Sequence, residues 1–340
     1  MVRFIDLYAG IGGIRFGFQE AGARCVFSSE WNKYAKLTYK AFHNEEPFDD
    51  ITYADFETDI PNHDILTAGF PCQPFSLAGV SKKTSLGRKH GFQDPTQGTE
   101  FFKIKKILET KKPSAFLLEN VKNLRSHDGG NTFSIIKSQL HDAGYHFKDF
   151  IIDSSYWIPQ HRERIFIIGF RKKLRKRGFL DKLSITYPEN RMYELNDILL
   201  TEDHIRSNFN HKYTLSEGTW KALQNHKAKH LKKGNGFGYG LISKPYGGKT
   251  TRTLSARYYK DGAEILLTQD DCEIPRRLTP LEACRLQGYP EECEKFFNGI
   301  EKPPCSDGQL YKQFGNSVTV PVIKMLAEII LEELNKYGIS

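Results

Sequence analysis

The chain has 340 residues, 39% of them hydrophobic, and its 49 lysines and arginines exceed its 41 aspartates and glutamates to give a net charge of +8. This is enough apolar material for one large core and a smaller lobe, and the modest positive excess favours a polyanionic partner without requiring one. A secretory leader, a bilayer-crossing stretch, a disulfide framework and a zinc site are all excluded by expectation, because Met1 runs straight into a short apolar strand and none of the six cysteines forms a C-x-x-C pair. Reduced thiols in a bacterial cytosol are the reading that follows.

Taken in chain order, short apolar runs alternate with amphipathic stretches through the first 170 residues. Strands are predicted at Val2–Leu7, Arg24–Ser29, Asp64–Ala68, Ala115–Glu119, Phe147–Asp153 and Arg164–Phe170, with helices at Asn32–His43, Glu100–Glu109 and Thr132–Asp142. Helices of that length between strands imply right-handed crossovers and an α/β fold with a doubly wound, mostly parallel sheet. The first strand ends in Asp6-Leu7-Tyr8-Ala9-Gly10-Ile11-Gly12-Gly13, a glycine turn that allows close backbone approach to a ligand. Any tight strand-to-helix turn would look similar, but two details narrow it. Asp6 would repel a pyrophosphate and suits the sulfonium of S-adenosylmethionine. Glu30 closes the second strand, where ribose hydroxyls bind in such folds, and Trp31 beside it could stack on adenine.

Next comes Ala68-Gly69-Phe70-Pro71-Cys72-Gln73-Pro74. A cysteine between two prolines at the carboxyl end of a parallel strand sits in a stiff loop facing the crevice. It is either a nucleophile or a buried structural thiol. As a thiolate it could add to carbon 6 of cytosine and make carbon 5 able to attack a methyl group. Glu119 ends the strand Phe116–Glu119, and in a desolvated pocket it could hold a proton for the ring nitrogen N3; a surface carboxylate is the plain alternative. Arg162 and Arg164, spaced by two, point to one side of an extended segment and could clamp a base carbonyl and a phosphate, while Glu163 faces away.

After the basic run at Arg171–Arg177 the pattern changes. From Met192 to Pro275 the chain is polar and rich in glycine, lysine, histidine and tyrosine, which predicts a second, smaller, irregular and β-rich domain over residues 191–304. Catalytic-domain sequence resumes at 305–340, completing 1–190. Helices are predicted at Pro280–Gln287 and Ser317–Lys336, the latter with apolar residues at helical spacing.

Together the motifs resemble those of the DNA cytosine-C5 methyltransferase family of restriction–modification systems. They are Asp6-Leu7-x-Ala9-Gly10-x-Gly12-Gly13, Pro71-Cys72-Gln73, Glu119-Asn120-Val121, Gln160-x-Arg162-x-Arg164, Arg277–Pro290 and Gln313–Val318. The resemblance implies that Cys72 is the nucleophile, Glu119 the N3 partner, and Arg162 with Arg164 the contacts to cytosine and backbone. It implies a cofactor site formed by Phe4, Asp6, Leu7, Gly10, Gly12, Gly13, Glu30, Trp31, Asp50, Ile51 and Pro71, closed by Asn316, Ser317 and Val318 from the C-terminal helix folded back on the N-terminal domain. A catalytic loop from Ser76 to about Gln97, with Lys82, Lys83 and Arg88, is expected to close on flipped double-stranded DNA.

The polar region would be the target-recognition domain. Its Gly234–Gly240 segment and Thr251–Gly262 segment, with Arg252, Thr253, Arg257 and Tyr258 as candidate DNA contacts, resemble those of members that modify CC-starting palindromes such as CCGG or CCWGG. Three departures stand out: Tyr8 for phenylalanine, His161 for a basic residue, and Gln97–Glu100 in place of an arginine-glycine-leucine-like run. Methylation of transfer RNA, dinucleotide-dependent oxidoreduction and catalytically dead DNA binding are the alternatives, and a monomer is expected.

Overall fold

The computed structural model of the chain describes residues 1–71, 99–174 and 177–339. Six strands form one sheet: β1 (Arg3–Leu7), β2 (Arg24–Ser29), β3 (Ile65–Gly69), β4 (Ala115–Val121), β5 (Tyr145–Asp153) and β6 (Glu163–Arg171). Their order is β2-β1-β3-β4-β6-β5. β1 pairs in parallel with β2 and β3, and β3 with β4, as expected; β6 lies antiparallel between β4 and β5. Residues 154–162 link β5 to β6, too short a path for a crossover, so these two strands run antiparallel.

Alternation along the strands explains the layers. Phe4, Ile65, Ala115, Leu117 and Ile168 point to one face and pack on α1 (Gly13–Glu20) and α10 (Val320–Asn335). Ile5, Leu66, Phe116, Leu118 and Ile167 point to the other and pack on α3 (Thr99–Lys111) and α4 (Asn131–Asp142). α2 (Lys33–His43) starts at Asn32, whose side-chain oxygen accepts from the backbone N–H groups of Tyr34 and Ala35. The chain leaves β1 for β2 on one side and returns to β3 on the other. That reversal opens a crevice at the carboxyl ends of these strands.

α10 begins at Val320, later than the predicted Ser317, because Ser317 and Thr319 are extended and Pro321 follows at the first turn. It docks on α1 where Gly17 has no side chain; a Cβ there would stand 2.6 Å from Ile323 Cγ2. The run Asp307–Asn335 is long and apolar enough to cross a membrane by length and composition, contrary to expectation. It is broken between α9 (Asp307–Asn316) and α10, and 61% of its most apolar window is buried inside the protein.

The second lobe departs from the prediction of a β-rich domain. It carries α5 (Leu195–Ile198), α6 (Glu202–Phe209), α7 (Glu217–Lys232) and α8 (Pro280–Leu286), and only the two-residue strands β7 (Leu241–Ile242) and β8 (Leu266–Leu267) among the described residues. The helix α8 was predicted, at Pro280–Gln287, but the others were not; α7 has no buried residue, so it carries no broad apolar face to reveal it. Here α8 is anchored by Glu282, which pairs with Arg276 at 2.8 Å in a fully buried ion pair and accepts from the Thr279 and Leu200 N–H groups. Among the described residues the lobe has no separate core. Leu254, Tyr258, Leu278 and Phe297 share one apolar cluster with Phe16 of α1, Ala35 of α2 and Phe314 of α9.

Candidate active site

The carboxyl ends of β1 and β2 open on a cleft of about 340 Å³ lined by Tyr8, Ser29, Glu30, Trp31, Asp50, Ile51, Pro71 and Glu100. Glu30 is almost fully buried and holds the glycine turn: Oε2 accepts from the Gly10 N–H at 2.8 Å, and Oε1 accepts from the Asn32 N–H at 2.7 Å. Burial raises its pKa, and those N–H groups pull it back down. Trp31 leaves 68% of its surface in solvent beside it. The Tyr8 hydroxyl donates across the cleft to the Glu100 carbonyl at 3.2 Å, and Glu100 pairs with Lys103 at 2.8 Å. Among the described residues no lysine or arginine lines the cleft, while Glu30, Asp50 and Glu100 do, so this part of it suits a cation and would repel a phosphate.

Pro71 lines this cleft and leads directly into Cys72. Cys72 lies outside the described residues, as do Ser76, Lys82, Lys83 and Arg88. The segment before it is held from β4. Asn120, buried, donates from Nδ2 to the Phe70 carbonyl at 2.9 Å. Glu119 sits in register with Gly69, and a Cβ on that glycine would lie 3.5 Å from Glu119 Oε2. Arg164, on β6, places Nε 3.2 Å from Glu119 Oε1, and the two side chains keep 17% and 12% exposure. Burial raises the Glu119 pKa; Arg164 first and Arg162 second act against it. The outcome is a nearly buried acid with one cationic partner, open at one edge, beside the segment that carries the cysteine. Such a group holds its proton to higher pH than an ordinary carboxylate and can deliver it to a ring nitrogen.

A model of the C-5 cytosine-specific DNA methylase family matches residues 2–332. The chain belongs to that family. It is 46% identical to the DNA-cytosine methyltransferase of Escherichia coli K12, covering 96% of this chain and 77% of that one. It is also 46% identical to Type II methyltransferase M.NlaX of Neisseria lactamica, over 96% of each. In fold, this methylase resembles the crystal structure of the S. pombe Dnmt2 methyltransferase, with TM-score 0.74, 21% identity and 98% of this chain covered.

Of the cofactor residues expected from the methylase motifs, Glu30, Trp31, Asp50, Ile51 and Pro71 meet in the cleft, and Gly10 is bonded to Glu30 at its edge. Ser29 was missed, although it directly precedes Glu30. Tyr8 and Glu100, set apart only as departures from the family pattern, both line the cleft. Phe4 and Leu7 do not reach it: their side chains are fully buried, one on each face of the sheet. Asp6 does not line it either. It is fully buried beneath the turn, accepting from Thr67 Oγ1 at 2.9 Å while its second oxygen has no partner, and burial pushes its pKa up to about 7.

Gly12 and Gly13 serve packing. A Cβ on Gly12 would meet His43 Nε2 at 1.9 Å, and one on Gly13 would meet Tyr289, Ser317 and Val318 within 2.9 Å. Ser317 and Val318 therefore brace the back of the glycine turn rather than line the cleft, and Asn316 is exposed.

Arg162 corrects its expectation most plainly. Its side chain is only 2% exposed; Nη1 donates to the Leu254 carbonyl at 3.0 Å, and Nη2 donates to the carbonyls of Gly315, at 3.0 Å, and Ser317. With those donors committed to main chain, it has no reach to a phosphate. Glu163 faces the other way, pairing with Lys122. Among the recognition residues Arg252 and Arg257 are exposed, and Thr253 donates to the His161 carbonyl at 2.5 Å. Tyr258 is fully buried, its hydroxyl donating to the Ile265 carbonyl and accepting from the Leu278 N–H. It is core, not a DNA contact; Tyr259, 43% exposed, is the aromatic available there.

Proposed function

We propose that this chain transfers a methyl group from S-adenosylmethionine to carbon 5 of a cytosine flipped out of a short duplex DNA site, with Cys72 as the nucleophile. The observation that carries this reading is the shared border at Pro71. On one side lies a cleft lined by Glu30, Asp50 and Glu100 with no cationic side chain among the described residues; on the other, the nearly buried Glu119–Arg164 pair; and Cys72 follows directly in the chain. Glu30, Trp31 and Asp50 suit a cationic, phosphate-free cofactor, with Glu30 toward the ribose and Trp31 toward the adenine. When bound, S-adenosylmethionine supplies an electrophilic methyl group.

The chain's own residues prepare the base for it. The Cys72 thiolate adds to carbon 6, and the electron pair moves toward carbon 5 and N3. Glu119 gives its proton to N3 as charge builds, and Arg164 fixes the Glu119 carboxyl and offers its remaining donors to the base carbonyl. Once carbon 5 carries the methyl group it loses its proton to a base, the electrons left behind expel the Cys72 thiolate from carbon 6, and N3 returns its proton to Glu119. Asn120 holds the Phe70 carbonyl, two residues ahead of Cys72 in the chain, in place throughout. Because carbon 6 is shielded inside a duplex, the cytosine must leave the stack.

Residues 191–304 act as the target-recognition domain on a catalytic body of 1–190 plus 305–340. Arg252 and Arg257 face the major groove of a CC-starting palindrome such as CCGG or CCWGG, and Ser76, Lys82, Lys83 and Arg88 meet phosphates. The protein acts as a cytoplasmic monomer that protects host DNA from a cognate nuclease. Expression of the chain followed by bisulfite sequencing of a resident plasmid will show one short methylated motif, and Cys72→Ser will abolish both that signal and the covalent adduct with a fluorocytosine duplex. Undiminished methylation by Cys72→Ser would sink the proposal.

A further inference from the structure

Helix α7 is the most exposed long element of the second lobe, with no buried residue over Glu217–Lys232. One side of it holds the glycine-rich segment that follows. Trp220 meets Tyr239 ring to ring at 4.7 Å, Lys227 Nζ stands 4.3 Å from the centre of the same tyrosine, and His230 Nδ1 lies 2.7 Å from Asn235 Oδ1. At about 100° per residue, Lys221, Asn225, Lys229 and Lys232 fall on the opposite side, with Lys233 just beyond. All are exposed, and among the described residues none of Lys221, Lys229, Lys232 and Lys233 has a carboxylate partner.

Three other lysines of this lobe do: Lys212 pairs with Asp307, Lys244 with Asp270, and Lys295 with Glu301. The helix has one acidic residue in its first turn, Glu217, and none on this face. Repulsion between like charges on one helix face is offset in part by the helix dipole, which favours Lys229 and Lys232 in the last turn, whereas Lys221 lies outside that turn. The glycine segment, packed on the inner side of α7, also links the helix to the recognition loop, since Arg252 Nη1 donates to the Gly238 carbonyl at 2.6 Å. The helix and Arg252 thus flank one short piece of chain.

We propose that the outer face of α7, Lys221, Lys229 and Lys232 with Lys233 at its end, is a phosphate-binding strip that holds duplex DNA outside the recognised sequence. The proposal rests on the reading of the chain as a duplex-DNA methylase. From Lys221 to Lys232 the helix rises about 16 Å, the length of roughly five base pairs. A strip of this kind reads charge and not sequence, so it strengthens specific and non-specific binding alike.

The test compares the wild-type chain with the triple variant Lys221→Gln, Lys229→Gln, Lys232→Gln and with the corresponding triple Lys→Arg variant. Each is titrated with a methylatable duplex and a scrambled duplex of equal length between low and moderate salt, and each melting temperature is recorded. The glutamine variant is expected to melt as the wild type does and to lose affinity for both duplexes by the same factor. Its plot of log affinity against log salt should become shallower by about one per lysine removed, and the arginine variant should retain the original slope. An unchanged slope and affinity in the glutamine variant would overturn the strip, as would a loss confined to the methylatable duplex. If the wild type itself transferred no methyl group to duplex DNA, the underlying reading would fail instead, a result separable from the other two.

Discussion

Glu119 and Arg164 meet at 3.2 Å because residue 119 lies near the end of β4 and β6 runs beside it, Val121 pairing with Arg164. Burial holds the carboxyl proton to higher pH than usual, while the arginine opposes this. An acid that must be protonated to serve N3 loses that role as pH rises through its raised pKa, so turnover should fall on the alkaline side. Arg164→Gln removes the larger of the two lowering charges. The alkaline limb of kcat should therefore move to higher pH in that variant even as kcat drops; a limb that stays put would separate Glu119 from the observed titration. Glu119→Gln keeps a donor but cannot transfer its proton, and a loss of about 10²–10⁴ in kcat is expected. Both residues were legible because a carboxylate and an arginine at strand ends carry their own chemistry. Asn120 was not given a role, since its bond to the Phe70 carbonyl depends on how β3 and β4 are aligned.

At the level of elements, α10 was readable from its apolar spacing, and α7 was not. The difference is physical: one helix is built to be buried on α1, the other has an apolar fringe that covers only one glycine-rich loop. The α1–α10 contact is as tight at Gly17 as backbone allows, since an added Cβ would stand 2.8 Å from the Lys324 backbone nitrogen. Alanine usually favours a helix over glycine, but here overpacking should dominate. Gly17→Ala is expected to destabilise the protein by about 1–3 kcal/mol, seen as a lower calorimetric melting temperature. An unchanged or higher value would show that the two helices can separate without cost.

Across the whole molecule, Arg162 joins three regions that are distant in sequence. Its guanidinium bridges the start of β6 to Leu254 in the second lobe and to Gly315 and Ser317 ahead of α10. Gln160 adds to the seam, accepting from the Leu254 N–H at 2.8 Å and donating to the Leu286 carbonyl at 3.2 Å. Arg162→Met would leave three carbonyls without donors, for a loss on the order of 3 kcal/mol in urea unfolding. Arg162→Lys should recover little, because one ammonium cannot span what a planar fork spans. If either variant kept wild-type stability, the clasp would carry no energy.

The order of strands and helices in the first 170 residues and the glycine turn with Glu30 were determined by local pattern: side-chain period and turn residues. Burial was decided only in three dimensions. Phe4, Leu7, Asp6, Arg162 and Tyr258 carry side chains suited to a ligand or to DNA, yet packing turned each inward, where its partners are main-chain groups or core. The helical second lobe belongs to the same class, because its stability comes from a core shared with α1, α2 and α9, and no segment of it records that alone.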